Sequence, residues 1–430
     1  VAVSAPPTRA GFWHELRASA LPLLLVLLLT ALAWWPTIQQ LADPLADQVG
    51  ENFGVAASCS SPAYQLGWFG GAVNGGATLW GGSLPATLLA QAGCRLSPAL
   101  GLSPLQSYLL LGQLLTVVMA ALACRWVGFS RGTALLAGLL IATAPCAFSR
   151  VGGGHIGLSV LLPVLPALVA CLQLRRTMLS TDTTWQMLGT GAIACLLTVP
   201  CQDYYTVFSL LLLGASLALL LLLLSADLEQ LRNLATRGAL FLAGFVAVLV
   251  LLFLPKLLAA FAPTGVGVPT SWSTARVAID QFRYGLLPLT WFIPSHQVMA
   301  TIATLQKAGI ETGSESFFWS TGSLLIPIAA IGAIRRLAQP AASQQRADSA
   351  GLADADRRFL AVLLLLTSAI GLLVMTMGGL GTLFAATVTP VMRSLNRFTV
   401  FVYGASLLYL LAEFDLWCLR RQALPRSAQP

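Results

Sequence analysis

The chain has 430 residues, of which 57% are hydrophobic and only 9% charged. A soluble globular domain carries about 25% charged residues, so a water-soluble core is excluded and the composition is that of a polytopic membrane protein. The formal charge of +8 does not mark a nucleic-acid partner, because the basic residues are distributed by loop rather than gathered in one patch.

In chain order, the first apolar run is "LPLLLVLLLTALAWW", preceded by Arg9 and Arg17. It resembles a signal peptide, with "ALA" at 31–33 as a cleavage-like triplet. The two tryptophans directly after that triplet suit cleavage poorly, so residues 18–36 are expected to form an uncleaved first span. Further runs of about 20 apolar residues, enough to cross a bilayer, lie at 105–124, 132–149, 156–174, 186–200, 204–224, 238–260, 317–334, 359–378 and 398–418. The stretch from 186 to 224 is interrupted by "PCQDYY" and is divided there. Its first half is short, which places the turn below the membrane surface, where non-helical polar backbone is tolerated only in a protein-lined or wet cavity. The expected fold is therefore all-α: one integral membrane domain over 1–430, a bundle of about ten spans.

The basic residues orient this bundle. One set of loops holds Arg9, Arg17, Arg125, Arg131, Arg175, Arg176, Arg232, Arg237, Arg335, Arg336 and the arginines of 346–358 and 420–426. The other holds half as many, Arg95, Arg150, Lys256, Arg276, Arg283, Lys307, Arg393 and Arg397, in much longer loops. Both termini are then cytoplasmic. Two long loops face outward, 37–104 and 261–316, and the longest cytoplasmic connection is the polar linker 337–357. The first outer loop contains "YQLGWFGGAVNGGATLWGGSLPATLLAQ", which reads as interfacial helices with Trp68 and Trp80 at headgroup level. Of eight cysteines none forms a CxxC pair, and most sit in apolar runs as small hydrophobes. Cys59 and Cys94 share the first outer loop and could bridge there.

The outer ends of the spans carry a varied polar set, unlike the cytoplasmic loops. Asp43, Asp47 and Glu51 follow the first span, Arg150 and His155 join the third and fourth, and Gln202, Asp203, Tyr204 and Tyr205 join the fifth and sixth. Arg393, Asn396 and Arg397 precede the tenth. Acids suit proton abstraction and arginines suit gripping a phosphate. Each residue also has a plainer role. Asp43 before Pro44 is a natural helix cap, Arg150 can snorkel to headgroups, His155 can hydrogen-bond at a helix start, and "MRSLNRFTVF" can be a basic anchor. Asp203, an acid at membrane depth, is the hardest to dismiss. No Walker A, HExxH, G-x-S-x-G or dinucleotide fingerprint is present. Neither "GWFGGAVNGG" nor "VGGGH" joins a strand to a helix, so neither is a phosphate loop.

The layout of one span, an acid-bearing outer loop with amphipathic helices, then a bundle of further spans resembles the GT-C superfamily of polytopic glycosyltransferases. More narrowly it looks like the bacterial YfhO-like membrane proteins. The residues carrying the resemblance are "DPLAD" after the first span, "SRVGGGHIGLSVLLPVLPALV", "QDYYTVF", "LLPLTWFIPS" and "SLNRFTVF". What it implies is a multi-pass enzyme of the bacterial inner membrane that takes a sugar from a polyprenyl-phosphate donor and passes it to a cell-envelope acceptor on the outer face. Carried over, the general base falls on Asp43 or Asp47, and Arg150, Arg393 and Arg397 hold the phosphate. His155, Gln202, Asp203, Tyr204 and Asn396 line the sugar or acceptor. Partners are membrane lipid and the lipid-linked donor, with no nucleic acid. No cofactor is implied, and the spacing of His and carboxylates supports no divalent metal. The tenth span lies close to the end of the sequence, so a small acceptor, or a partner protein that presents it, is expected. The competing readings are a flippase of lipid-linked sugars, a surface-polysaccharide polymerase or ligase, and a non-catalytic assembly scaffold.

Overall fold

The computed structural model describes residues 9–41, 83–152, 156–199, 201, 203–261, 325–339, 352–374 and 395–423, together with a few isolated positions between 304 and 383. Among the described residues the regular structure is helical. The helices are α1 (Arg9–Gln40), α2 (Leu84–Leu100), α3 (Pro104–Trp126), α4 (Arg131–Ala142), α5 (Pro145–Gly152), α6 (Ile156–Ser159) and α7 (Val164–Leu179). They continue as α8 (Thr184–Thr198), α9 (Asp203–Leu224), α10 (Leu228–Phe261), α11 (Leu325–Ala338), α12 (Asp354–Leu373) and α13 (Thr399–Ala423), the last preceded by a 3-10 turn at Leu395–Phe398.

Among the described residues six stretches are long and apolar enough to cross a membrane: Ala20–Gln40, Pro104–Trp126, Arg131–Val151, Tyr204–Leu224, Leu228–Leu254 and Thr399–Arg421. Each of the ten expected segments holds helix, but α7, α8 and α11 have only 16, 15 and 14 residues. The span expected at 156–174 is not continuous. Its first part is the short α6, the chain then leaves the helix, and α7 starts only after Pro163. Proline supplies no N–H and clashes with the preceding turn, so "LLPVLP" sets a helix start where hydropathy alone sees one run. The 132–149 segment is likewise broken ahead of Pro145.

Local chemistry fixes the helix ends. Ser103 caps α3 in a reciprocal box with Gln106, its backbone N–H donating to Gln106 Oε1 at 2.7 Å. Thr183 and Gln186 repeat the box at α8. Gly101, at φ 64°, ends α2 in the left-handed conformation that suits glycine and turns the chain into α3. α2 lies in the first long loop, where interfacial helix was expected; it packs on the start of α3, with Gly93 against the Tyr108 backbone. Trp68, Trp80 and Cys59 lie outside the described residues, as do most of the 261–316 loop and most of the 337–357 linker.

α7 is the hub. It touches α3, α8, α9, α10, α12 and α13, and from Val164 to Leu174 every residue is buried. A helix apolar all round belongs in the middle of a bundle. Among the described residues α8 and α10 pack very closely, with Gly191 facing the Phe241 carbonyl and Gly244 facing the Leu188 carbonyl. Small residues at such crossings let backbones approach where water supplies no driving force between spans. Cys124, Cys146, Cys171, Cys195 and Cys201 are buried free thiols, packing as small hydrophobes, whereas Cys94 is disulfide-bonded.

One end of the bundle is stapled by ions. Asp356 at the start of α12 accepts from Arg175 at 2.7 Å and from Arg176 at 2.6 Å, both at the end of α7. Arg176 also donates to the Val127 carbonyl after α3 at 2.8 Å. Asp354 pairs with Arg336 of α11 and with Arg358. Asp415 of α13 accepts from the Ser130 backbone N–H at 3.2 Å and from the Thr133 hydroxyl at 2.6 Å, holding the first turn of α4, where a negative charge is favoured. Glu413 lies 3.8 Å from Arg336. The two acids near the end of the last span therefore join structural contacts. Because Asp356 is buried between two arginines, Asp356→Ala should lower stability by about 3 kcal/mol. A thermal melt in detergent, followed by tryptophan fluorescence, checks this as a lowered Tm.

Candidate functional site

The opposite end gathers the end of α1, the start of α3, the broken segment from α4 to α7, the start of α9, and the 3-10 turn ahead of α13. Breaks in a membrane helix leave carbonyls that lipid cannot satisfy. Side chains from distant helices answer them. Trp34 Nε1 donates to the Ala142 carbonyl at 2.9 Å where α4 ends, and its ring stacks on Phe148 of α5 with centroids 4.0 Å apart. Gln106 Nε2 donates to the Ile38 carbonyl near the end of α1 at 2.7 Å. The Tyr205 hydroxyl donates to the Leu158 carbonyl at 2.6 Å, and Gln113 Nε2 to the Ser159 carbonyl at 3.1 Å, so the α6 carbonyls are held from α9 and α3. Gln113 lies nine residues into α3, about 13 Å along the helix; the broken segment thus descends well into the bundle.

This scaffold fixes three of the expected site residues. Arg150 sits in the last turn of α5 and is fully buried, an end where a cation suits the helix dipole. Tyr204 and Tyr205 follow one another at the start of α9. Tyr205 is fully buried, and its phenol is committed to Leu158. Tyr204 faces elsewhere, and the guanidinium of Arg397 lies over its ring at 4.2 Å from the centroid. Arg397 itself is 9% exposed and belongs to the 3-10 turn. An aromatic cluster locks these starts together. Phe398 and Phe401 stack at 5.6 Å, Phe208 meets both edge-on at 5.4 and 6.0 Å, and Tyr205 meets Phe401 edge-on at 6.1 Å. Arg150 and Arg397 both lie within electrostatic reach of the Tyr205 phenol. Two guanidinium groups from opposite halves of the sequence thus share one buried neighbourhood.

The turn leading to these tyrosines is strained. Val199, the C-cap of α8, has φ 42°. A β-branched residue is a genuine outlier there, at a cost of about 1–3 kcal/mol. Thr198 and Cys201 are buried, as a turn sunk in protein requires.

Asp43, Asp47, His155, Gln202 and Arg393 lie outside the described residues. Asp203 opens α9 and Asn396 lies in the 3-10 turn, and their side chains also lie outside the described set. Gln113 and Trp34 are not among the residues the sequence singles out, and Tyr205, which stands in the outer polar set, has no assigned role there. Gln113 did carry a signal, a lone amide in "LLLGQLLTVV". Tyr205 carried none that separates it from Tyr204.

Chemically, a pair of guanidinium groups in low dielectric makes a field that favours an anion, and their planar N–H donors match phosphate oxygens. The backbone around them is pinned, so that field is preorganised. Comparison with known proteins finds no matching protein family, no matching curated protein and no matching solved structure.

Proposed function

We propose that the protein is a membrane glycosyltransferase. It moves a sugar from a polyprenyl-phosphate donor to a cell-envelope acceptor on the outer face of a bacterial inner membrane. The observation that carries this reading is that two arginines with almost no exposure, Arg150 and Arg397, the second set over the Tyr204 ring, lie at one end of the bundle near the start of α9. In an inverting transfer the acceptor hydroxyl loses its proton to a carboxylate, the sugar carbon changes partners, and the leaving lipid phosphate carries away the negative charge. Arg150 and Arg397 neutralise that charge, and Arg393 belongs with them by sequence. Asp43 or Asp47 is the base.

Two observations support the orientation. Cys94 is disulfide-bonded on the helix that packs against the start of α3, at the Arg150 end, and disulfides persist in oxidising compartments. Arg175, Arg176, Arg336 and Arg357 gather at the other end, as cytoplasmic ends do. The flippase reading draws less support, because the acids of the last span, Glu413 and Asp415, serve helix packing rather than a path across the membrane.

Glycan analysis of the source cell with and without the gene tests the proposal. Deletion should remove one sugar from an envelope glycan, the wild-type gene should restore it, and Asp43→Asn or Asp47→Asn should fail to restore it. An unchanged glycan after deletion sinks the transferase reading. Restoration by both variants sinks the general-base assignment.

A further inference from the structure

We infer that Tyr204 is a positioning residue that holds the Arg397 guanidinium in place for a lipid phosphate through the face of its ring, not through its hydroxyl. This rests on the transferase reading for the ligand class, and on contacts of this chain for the role. Arg397 lies over the Tyr204 ring at 4.2 Å, well inside the roughly 6 Å range in which a ring quadrupole attracts a cation. A guanidinium stacked on a ring face has its N–H donors, which lie in its own plane, directed past the ring edge. A bidentate grip needs that plane held at a set angle, and a long arginine side chain has several rotors to restrain.

The division of labour between the two adjacent tyrosines supports this. Tyr205 uses its hydroxyl, at 2.6 Å from the Leu158 carbonyl, and its ring packs edge-on against Phe401. It therefore belongs to the scaffold. Tyr204 is half-buried and makes only a tilted contact with Phe208 at 6.4 Å, so the cation is its close ring partner among the described contacts. Both tyrosines begin the same helix, α9, so the scaffold that fixes Tyr205 also fixes the platform under Arg397.

The test is direct binding, using farnesyl phosphate as the probe and farnesol as the neutral control, on the full chain in nanodiscs. Wild type should bind farnesyl phosphate and not farnesol. Tyr204→Phe and Tyr204→Trp should bind within about twofold of wild type or tighter. Tyr204→Leu should bind about five- to tenfold more weakly, the range of an interaction between an exposed and a desolvated cation–ring contact. In an Arg397→Lys background, Tyr204→Leu should cause a smaller further loss, because the ring acts through the guanidinium. If Tyr204→Phe weakens binding as much as Tyr204→Leu, the hydroxyl is the acting group and the inference is overturned. If Tyr204→Leu binds like wild type, or loses the same factor in the Arg397→Lys background, it is overturned as well. Should Tyr204→Leu not fold, the Phe and Trp variants decide the question alone. Equal binding of farnesol and farnesyl phosphate by wild type instead overturns the phosphate reading itself.

Discussion

Alanine at Gly191 or Gly244 should prevent recovery of a folded, monodisperse protein. A Cβ at Gly244 would stand 2.0 Å from the Leu188 carbonyl oxygen, and one at Gly191 would stand 1.9 Å from that of Phe241. Neither obstacle is the tip of a flexible side chain. Both are main-chain atoms of helices that pack along their length, so relief requires α8 and α10 to separate. Overpacking a core costs about 1–3 kcal/mol when side chains can move, and a whole-helix displacement should cost more than about 3 kcal/mol. The sequence provides its own controls. Gly189, on the same helix, and Gly214, on α9, have open space where a Cβ would go. Gly189→Ala and Gly214→Ala should raise stability slightly, since alanine favours helix by about 1 kcal/mol. Size-exclusion profiles and thermal melts of the four variants, side by side, check the contrast. A monodisperse Gly244→Ala with an unchanged Tm would show that this crossing is not as close as described.

Arg397→Met and Arg150→Met should each lower sugar transfer at least about a hundredfold while leaving the protein extractable and monodisperse. In the proposed reaction these groups meet charge that develops on the departing phosphate, and removing one such donor from a dry site costs about 10²–10³ in rate. Lysine retains the charge and loses the planar fork, so Arg397→Lys should recover only part of the activity. The measurement is transfer of labelled sugar from a polyprenyl-phosphate donor by the purified protein in lipid. Full activity of either methionine variant would remove that arginine from the reaction. The methionines preserve apolar length, which guards against a loss caused only by a cavity.

How much of this was legible in the sequence can be followed residue by residue. The composition points to the helical class with apolar helices long enough to cross a membrane, and among the described residues Arg175, Arg176, Arg336 and Arg357 gather at one end of the bundle. Hydropathy sees apolar content and not backbone continuity. It therefore merges α6 with α7 across Pro163, and α4 with α5 across Pro145. Arg150, Tyr204 and Arg397 are recognisable because a polar group at a span end is unusual whatever its partner. Their convergence is not, since it depends on how α5, α9 and α13 meet. The roles of Tyr205 and Gln113 escape for a related reason: both satisfy carbonyls, and which carbonyls go unsatisfied is known only once the helix breaks are placed. Glu413 and Asp415 show the converse. Charge inside a span suggests function, and here Asp415 holds a helix start while Glu413 approaches Arg336.

The burial of α7 has a consequence beyond cohesion. From Val164 to Leu172 its side chains are apolar and sealed, a plug about 13 Å deep in the centre of the bundle. Polar groups and the broken backbone collect above it and the ionic staples below. Such a layer separates the two ends of the bundle, since α7 places no polar side chain between Val164 and Leu172. Keeping the polar end and the ionic end apart is a duty of α7 as much as cohesion is.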